Sequence, residues 1–96
     1  MKTQFNIHLP PLDTDQCIFR DFIKVLDYNK AIAKGDMVNP GIGCIPVWEV
    51  IHLIENLGFE RDYNRIVTMW ADEKNSYTEE NTKRLIELGW ERIDRG

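Results

Sequence analysis

Apolar residues fall at every second position near the start of the chain, where Phe5, Ile7 and Leu9 alternate with Gln4, Asn6 and His8. A period of two puts alternate side chains on opposite faces, so residues 3–9 are predicted to form a half-buried strand. Pro10 and Pro11 end it, because neither can donate to a ladder.

The spacing then changes. Ile18, Phe19, Phe22, Ile23, Val25, Leu26 and Ile32 recur at intervals that suit a helix over residues 14–34. Asp13 and Gln16 fit a capping box, and Leu12 with Cys17 fits the apolar staple that accompanies one. Lys30 and Lys34 would complement the dipole at the far end, and Gly35 suits the position just beyond it. Asp27, Tyr28 and Asn29 are weaker helix formers within it.

A second helix is predicted from Pro46 to Leu57. Val47, Val50, Ile51, Ile54 and Leu57 line one face, Glu49, His52 and Asn56 the other, and Gly58 with Phe59 closes it. Residues 59–73 carry Phe59, Tyr63, Ile66, Val67 and Trp70 at a helical period, although Ile66 to Trp70 also reads as a short strand; the helical period is preferred. A last helix starts at Ser76 or Thr78, with Ser76 and Glu79 as a capping box. It ends at Leu88, with Gly89 beyond it and Trp90 folding back onto Leu85. Residues 90–94 complete the pattern as a strand pairing with the first. The echo between residues 53–61 and 85–92 reflects two helix exits built from the same glycine and aromatic chemistry, and is too short for a repeat. The resulting expectation is one α+β domain over residues 1–96, with three to four helices packed on a small two- to three-stranded sheet formed near the chain termini.

Composition narrows the class. With 96 residues the chain can bury one core, and 43% hydrophobic with 29% charged residues is ordinary for a globular domain. No apolar run reaches the ~20 residues of a membrane span, and the N-terminus lacks the apolar stretch of an export signal. Cys17 and Cys44 stand apart with no C-x-x-C, so a reducing, cytoplasmic setting is expected. The net charge is −4, and all of the imbalance lies after residue 48: eleven acids and seven bases there, against five of each before it. That balance argues against nucleic acid and against an anionic membrane, and is compatible with a basic protein partner.

Candidate chemistry is sparse. Gly41-Ile42-Gly43 precedes a predicted helix but lacks the lysine and hydroxyl of a phosphate loop, so it reads as a turn. His8, Cys17, Cys44 and His52 are too isolated in sequence for a zinc site, and neither a metal nor a cofactor is expected. Cys44 and His52 could serve as nucleophile and base if the loop folded over the helix, which makes a small Cys/His enzyme the alternative reading. A lesser one treats residues 47–70 as a helix-turn-helix, with Arg61, Asn64 and Arg65 reading nucleic acid. The leading expectation is non-catalytic: a small acidic module of the inhibitor, immunity or antitoxin, or phage accessory kind that acts by binding another protein. Its candidate contacts are Met37, Val38, Ile42, Ile45 and Trp48 from the twelve uncharged residues 37–48, and the carboxylates Asp72, Glu73, Glu79 and Glu80. A homodimer is also compatible with this surface.

Overall fold

The computed structural model describes residues 2–10, 20–53, 64–72 and 78–93. Strand β1 (Lys2–Leu9) forms as its alternation requires, with Thr3, Phe5, Ile7 and Leu9 all buried. It pairs antiparallel with β2 (Arg20–Asp27) and parallel with β5 (Arg65–Trp70). Two-residue β3 (Met37–Val38) pairs with β4 (Ile45–His52), β4 pairs antiparallel with β5, and β6 (Glu91–Ile93) pairs with β2. The order across the six-stranded mixed sheet is β3-β4-β5-β1-β2-β6.

Helix α1 (Glu79–Glu87) is the only helix among the described residues. The protein is therefore mostly β, and the expected α+β domain of three to four helices on a two- to three-stranded sheet does not form. The helix expected over 14–34 is replaced by β2 over 20–27 and by irregular chain over 28–34, and residues 11–19 lie outside the described residues. In β2 both faces carry apolar side chains, Phe22 and Leu26 on one, Ile23 and Val25 on the other, and a doubly apolar strand mimics a helical period. Where they are described, the helix expected over 46–57 is β4 and the helix favoured within 59–73 is β5, the strand alternative; residues 54–63 and 73 lie outside the described residues. The strand expected at the C-terminal end does form, but it pairs with β2 rather than with β1.

One face of the sheet holds the core: Phe5, Ile7, Leu9, Phe22, Ile45, Val47, Val67 and Met69. Leu85 of α1 and Trp90 cover it, with Tyr28, Ile32, Val38 and Ile42 packed alongside. The helix is bounded much as its sequence implies. Thr78 Oγ1 accepts from Asn81 N at 3.0 Å, and Glu79 and Glu80 occupy the first turn, where carboxylates favour the dipole. Ser76 lies outside the described residues. At the other end Trp90 N donates to Leu85 O (2.9 Å) and Gly89 N to Ile86 O (3.0 Å), with Gly89 at φ 92°, which is a Schellman closure.

The connection from β2 to β4 is fastened at two places. Buried Arg65 donates to Thr3 Oγ1 (3.0 Å), Lys30 O (3.0 Å) and Tyr28 O (2.7 Å), tying the exit of β2 to the start of β5. Asn39 Oδ1 accepts from Gly41 N (2.8 Å) and Gly43 N (3.2 Å). The amides that would face a phosphate are thus filled by a side-chain carbonyl of the same loop, and the Gly-Ile-Gly segment is a turn. Gly41 is favoured by its backbone: its φ is +121°, where a side chain is strained, and an added Cβ would also displace the exposed Leu88 side chain.

Candidate binding surface

The second face of the sheet is built differently. Residues opposite one another in the ladders share a face, which puts Trp70, His8 and Asp21 in one row across β5, β1 and β2. Glu49, Thr68, Asn6 and Ile23 form the next row, and Ile51, Ile66, Gln4 and Val25 the one after. Met37 and Pro46, paired across β3 and β4, lie on this face too, since Val38 and Ile45 turn to the core.

A β-bulge shapes its most exposed part. Val47 pairs with Met69 and Glu49 with Thr68, so Trp48 is the extra residue between them. Bulges re-aim side chains, and here the indole is turned outward with 58% of its surface exposed. Pro46 stands just before the point where the β4–β5 ladder begins, so its missing N–H costs that ladder no bond. Lys34 Nζ lies 5.1 Å from the centroid of the Trp48 ring, within cation–π range. Between Trp48 and Trp70 lies an open, largely apolar recess of about 320 Å³.

Trp70 is held from beneath. Its ring stacks on His8 with centroids 4.2 Å apart and planes at 23°. His8 Nδ1 is 2.6 Å from Asp21 Oδ1, and both side chains are largely buried. A carboxylate at one ring nitrogen fixes the orientation of an imidazole. In catalytic sites that contact presents the other nitrogen as a base; here it also fixes the ring on which Trp70 rests.

The sequence-predicted residues divide between the two faces. Met37 and Trp48 are exposed on the second face, Val38 and Ile42 are half-buried against the core, and Ile45 is fully buried, so it offers a partner nothing. Asp72 is exposed just beyond β5, and Glu79 and Glu80 are exposed in the first turn of α1. Glu73 lies outside the described residues. Cys44 precedes β4 and His52 ends it; eight steps at roughly 3.3 Å each place them about 25 Å apart, and the structure does not bring them together. The stretches of 47–70 that are described as regular structure are strands, not the two helices of a helix-turn-helix; Arg65 is buried with its donors engaged, and Arg61 lies outside the described residues. Among the described residues no three His, Cys, Asp or Glu side chains gather as a metal site. No helix among them is long and apolar enough to cross a membrane.

His8, Asp21 and Trp70 were not singled out as a group by the sequence. The alternation of residues 3–9 does place His8 away from the core, but the helical period assigned around Asp21 hides its position opposite His8. No family model, no characterised relative and no solved structure matches the chain.

Proposed function

We propose that the protein is a non-catalytic binding module that engages another protein through the part of the second sheet face formed by Met37, Pro46, Trp48 and Trp70. The observation that carries this reading is the bulge at Trp48, which turns a large indole outward beside a second exposed indole. Tryptophan and methionine are enriched where interfaces are buried, and a few such anchors supply most of the binding energy. Exposed indoles side by side on a rigid sheet are the kind of apolar patch that a small domain otherwise keeps covered. The net charge of −4 favours a partner with a basic surface.

The test is capture of partners from lysate of the natural host by tagged protein, compared across variants of matched fold. Trp48→Ala and Met37→Asp are expected to abolish capture of a stoichiometric partner. Ile86→Asp, on the outer surface of α1, is expected to leave capture intact. Capture that survives both face substitutions would overturn the reading.

A further inference from the structure

We propose that the cavity on the core side of the sheet, between Lys24, Trp90 and the loop that follows β3, binds a small apolar carboxylate of single-ring size. This goes beyond the protein-binding reading. The cavity lies on the opposite face of the sheet from Trp48 and Trp70, so the two readings stand or fall separately.

One residue of β2 breaks the core pattern. Phe22 and Leu26 turn to the core, and Lys24 stands between them in the row of Phe5, on the same face. Lys24 is half-buried, and its ammonium donates to Leu88 O just beyond α1, where a cation favours the helix dipole. That bond uses one of three donors. Among the described residues no carboxylate pairs with Lys24. An ammonium taken partly out of water without a counter-ion gains most from an anion brought to it.

Space for the apolar part of such a ligand adjoins the ammonium. The cavity has a volume of about 200 Å³, and a void of ~150 Å³ is enough to hold one benzene ring. Phe5, Tyr28 and Trp90 supply aromatic walls, and Val38 and Pro40 close the side made by the loop. These walls stand before a ligand arrives. The Tyr28 ring meets Phe5 edge to face with centroids 5.4 Å apart, and the Tyr28 carbonyl accepts from Arg65. Across the cavity, Asn39 Oδ1 accepts from Gly41 N and Gly43 N, which orients the Asn39 amide and leaves its N–H groups as further donors. The described lining thus carries an ammonium and an amide but no carboxylate, which selects an anion over a cation. A bare inorganic ion would meet the ammonium and leave the aromatic walls unfilled. An apolar carboxylate satisfies both, in the manner of small-ligand sites that join apolar walls to a few placed polar groups.

The probes are phenylacetate, its neutral isostere phenylacetamide, the cation phenethylamine, and acetate, each followed by amide and indole NMR shifts of the parent protein. Phenylacetate is expected to saturate with Kd about 1 mM, in keeping with its roughly ten non-hydrogen atoms. It should shift the Trp90 indole N–H and leave those of Trp48 and Trp70 in place. Phenylacetamide is expected to bind at least about threefold more weakly, and neither phenethylamine nor acetate to saturate. Lys24→Met is expected to bring phenylacetate down to the affinity of phenylacetamide, and Lys24→Arg to keep the preference for the anion. Because Lys24 also serves the end of α1, Val38→Phe is the second variant. It fills the cavity from the loop side and should weaken phenylacetate at least about tenfold, with an unchanged circular dichroism spectrum. The proposal is overturned if phenylacetate fails to saturate, if phenylacetamide or phenethylamine binds as tightly, or if acetate saturates with the same affinity. It is equally overturned if the shifts centre on Trp48 and Trp70, or if Val38→Phe binds like the parent.

Discussion

The two faces of this one sheet are made from the same strands by opposite rules. On the core face, consecutive inward positions of β1 and β5 pair Phe5 with Val67 and Ile7 with Met69, and a helix and Trp90 close over them. On the second face the same strands present Asn6 beside Thr68 and His8 beside Trp70, with neutral polar groups in the middle and aromatic rings toward one end. Three tryptophans show the contrast most sharply. Trp90 is buried and anchors the helix exit, Trp70 is 38% exposed over a His–Asp pair, and Trp48 is 58% exposed at a bulge. An indole committed to folding is surrounded by apolar neighbours. The two exposed indoles instead have polar neighbours, His8 under Trp70 and Lys34 over Trp48.

That contrast fixes where substitutions should act, beginning with the largest effect. Phe22→Ala, fully buried on the core face, should cost about 4 kcal/mol in denaturant unfolding, from lost burial and the cavity left behind. Arg65→Met should cost about 2 kcal/mol, because it leaves the Tyr28 and Lys30 carbonyls and the Thr3 hydroxyl without their donor. A midpoint unchanged from the parent would show that water replaces the guanidinium. Gly41→Ala should cost about 1 to 2 kcal/mol, chiefly from left-handed strain, since the exposed Leu88 side chain can move aside. Thr78→Ala should cost about 1 kcal/mol by removing the helix cap, read as a lower thermal midpoint. Trp48→Ala should shift stability by no more than about 0.5 kcal/mol. A large loss there would make the bulge tryptophan a folding residue and erase the distinction between the faces.

The legible parts of the fold were those where one rule acts alone. Strand β1 alternates cleanly, and α1 carries a cap, an acidic first turn and a Gly-Trp exit, so both are visible in the sequence. The bulge explains the misreading of β4. With one residue inserted at Trp48, the positions that face the core become Ile45, Val47 and Val50, and the step of three from Val47 to Val50 imitates a helix. In β5 the inward set is Arg65, Val67 and Met69, so a buried arginine replaces the apolar residue that alternation calls for. Ile66 and Trp70 are apolar on the opposite face, and together with Val67 they give a false helical stripe. The candidate site was half legible for the same reason. Met37 and Trp48 stood out as part of an uncharged stretch, but the pleat sends Val38 and Ile45 the other way, and the pairing of His8 with Asp21 depends on a strand that reads as a helix.

The parallel pairing of β1 with β5 also governs the time course of folding. Thr3 meets Arg65 across 62 positions of chain, and these two strands are the middle of the sheet, not its margin. Local hairpins cannot complete such a centre, so the search for it is a long-range loop closure of the kind that slows β-rich domains. During synthesis the first strand emerges more than sixty residues ahead of its parallel neighbour. Until then its apolar edge is shielded on one side at most, by the hairpin with β2, and the ribosome-bound chain carries an open edge that only β5 can seal.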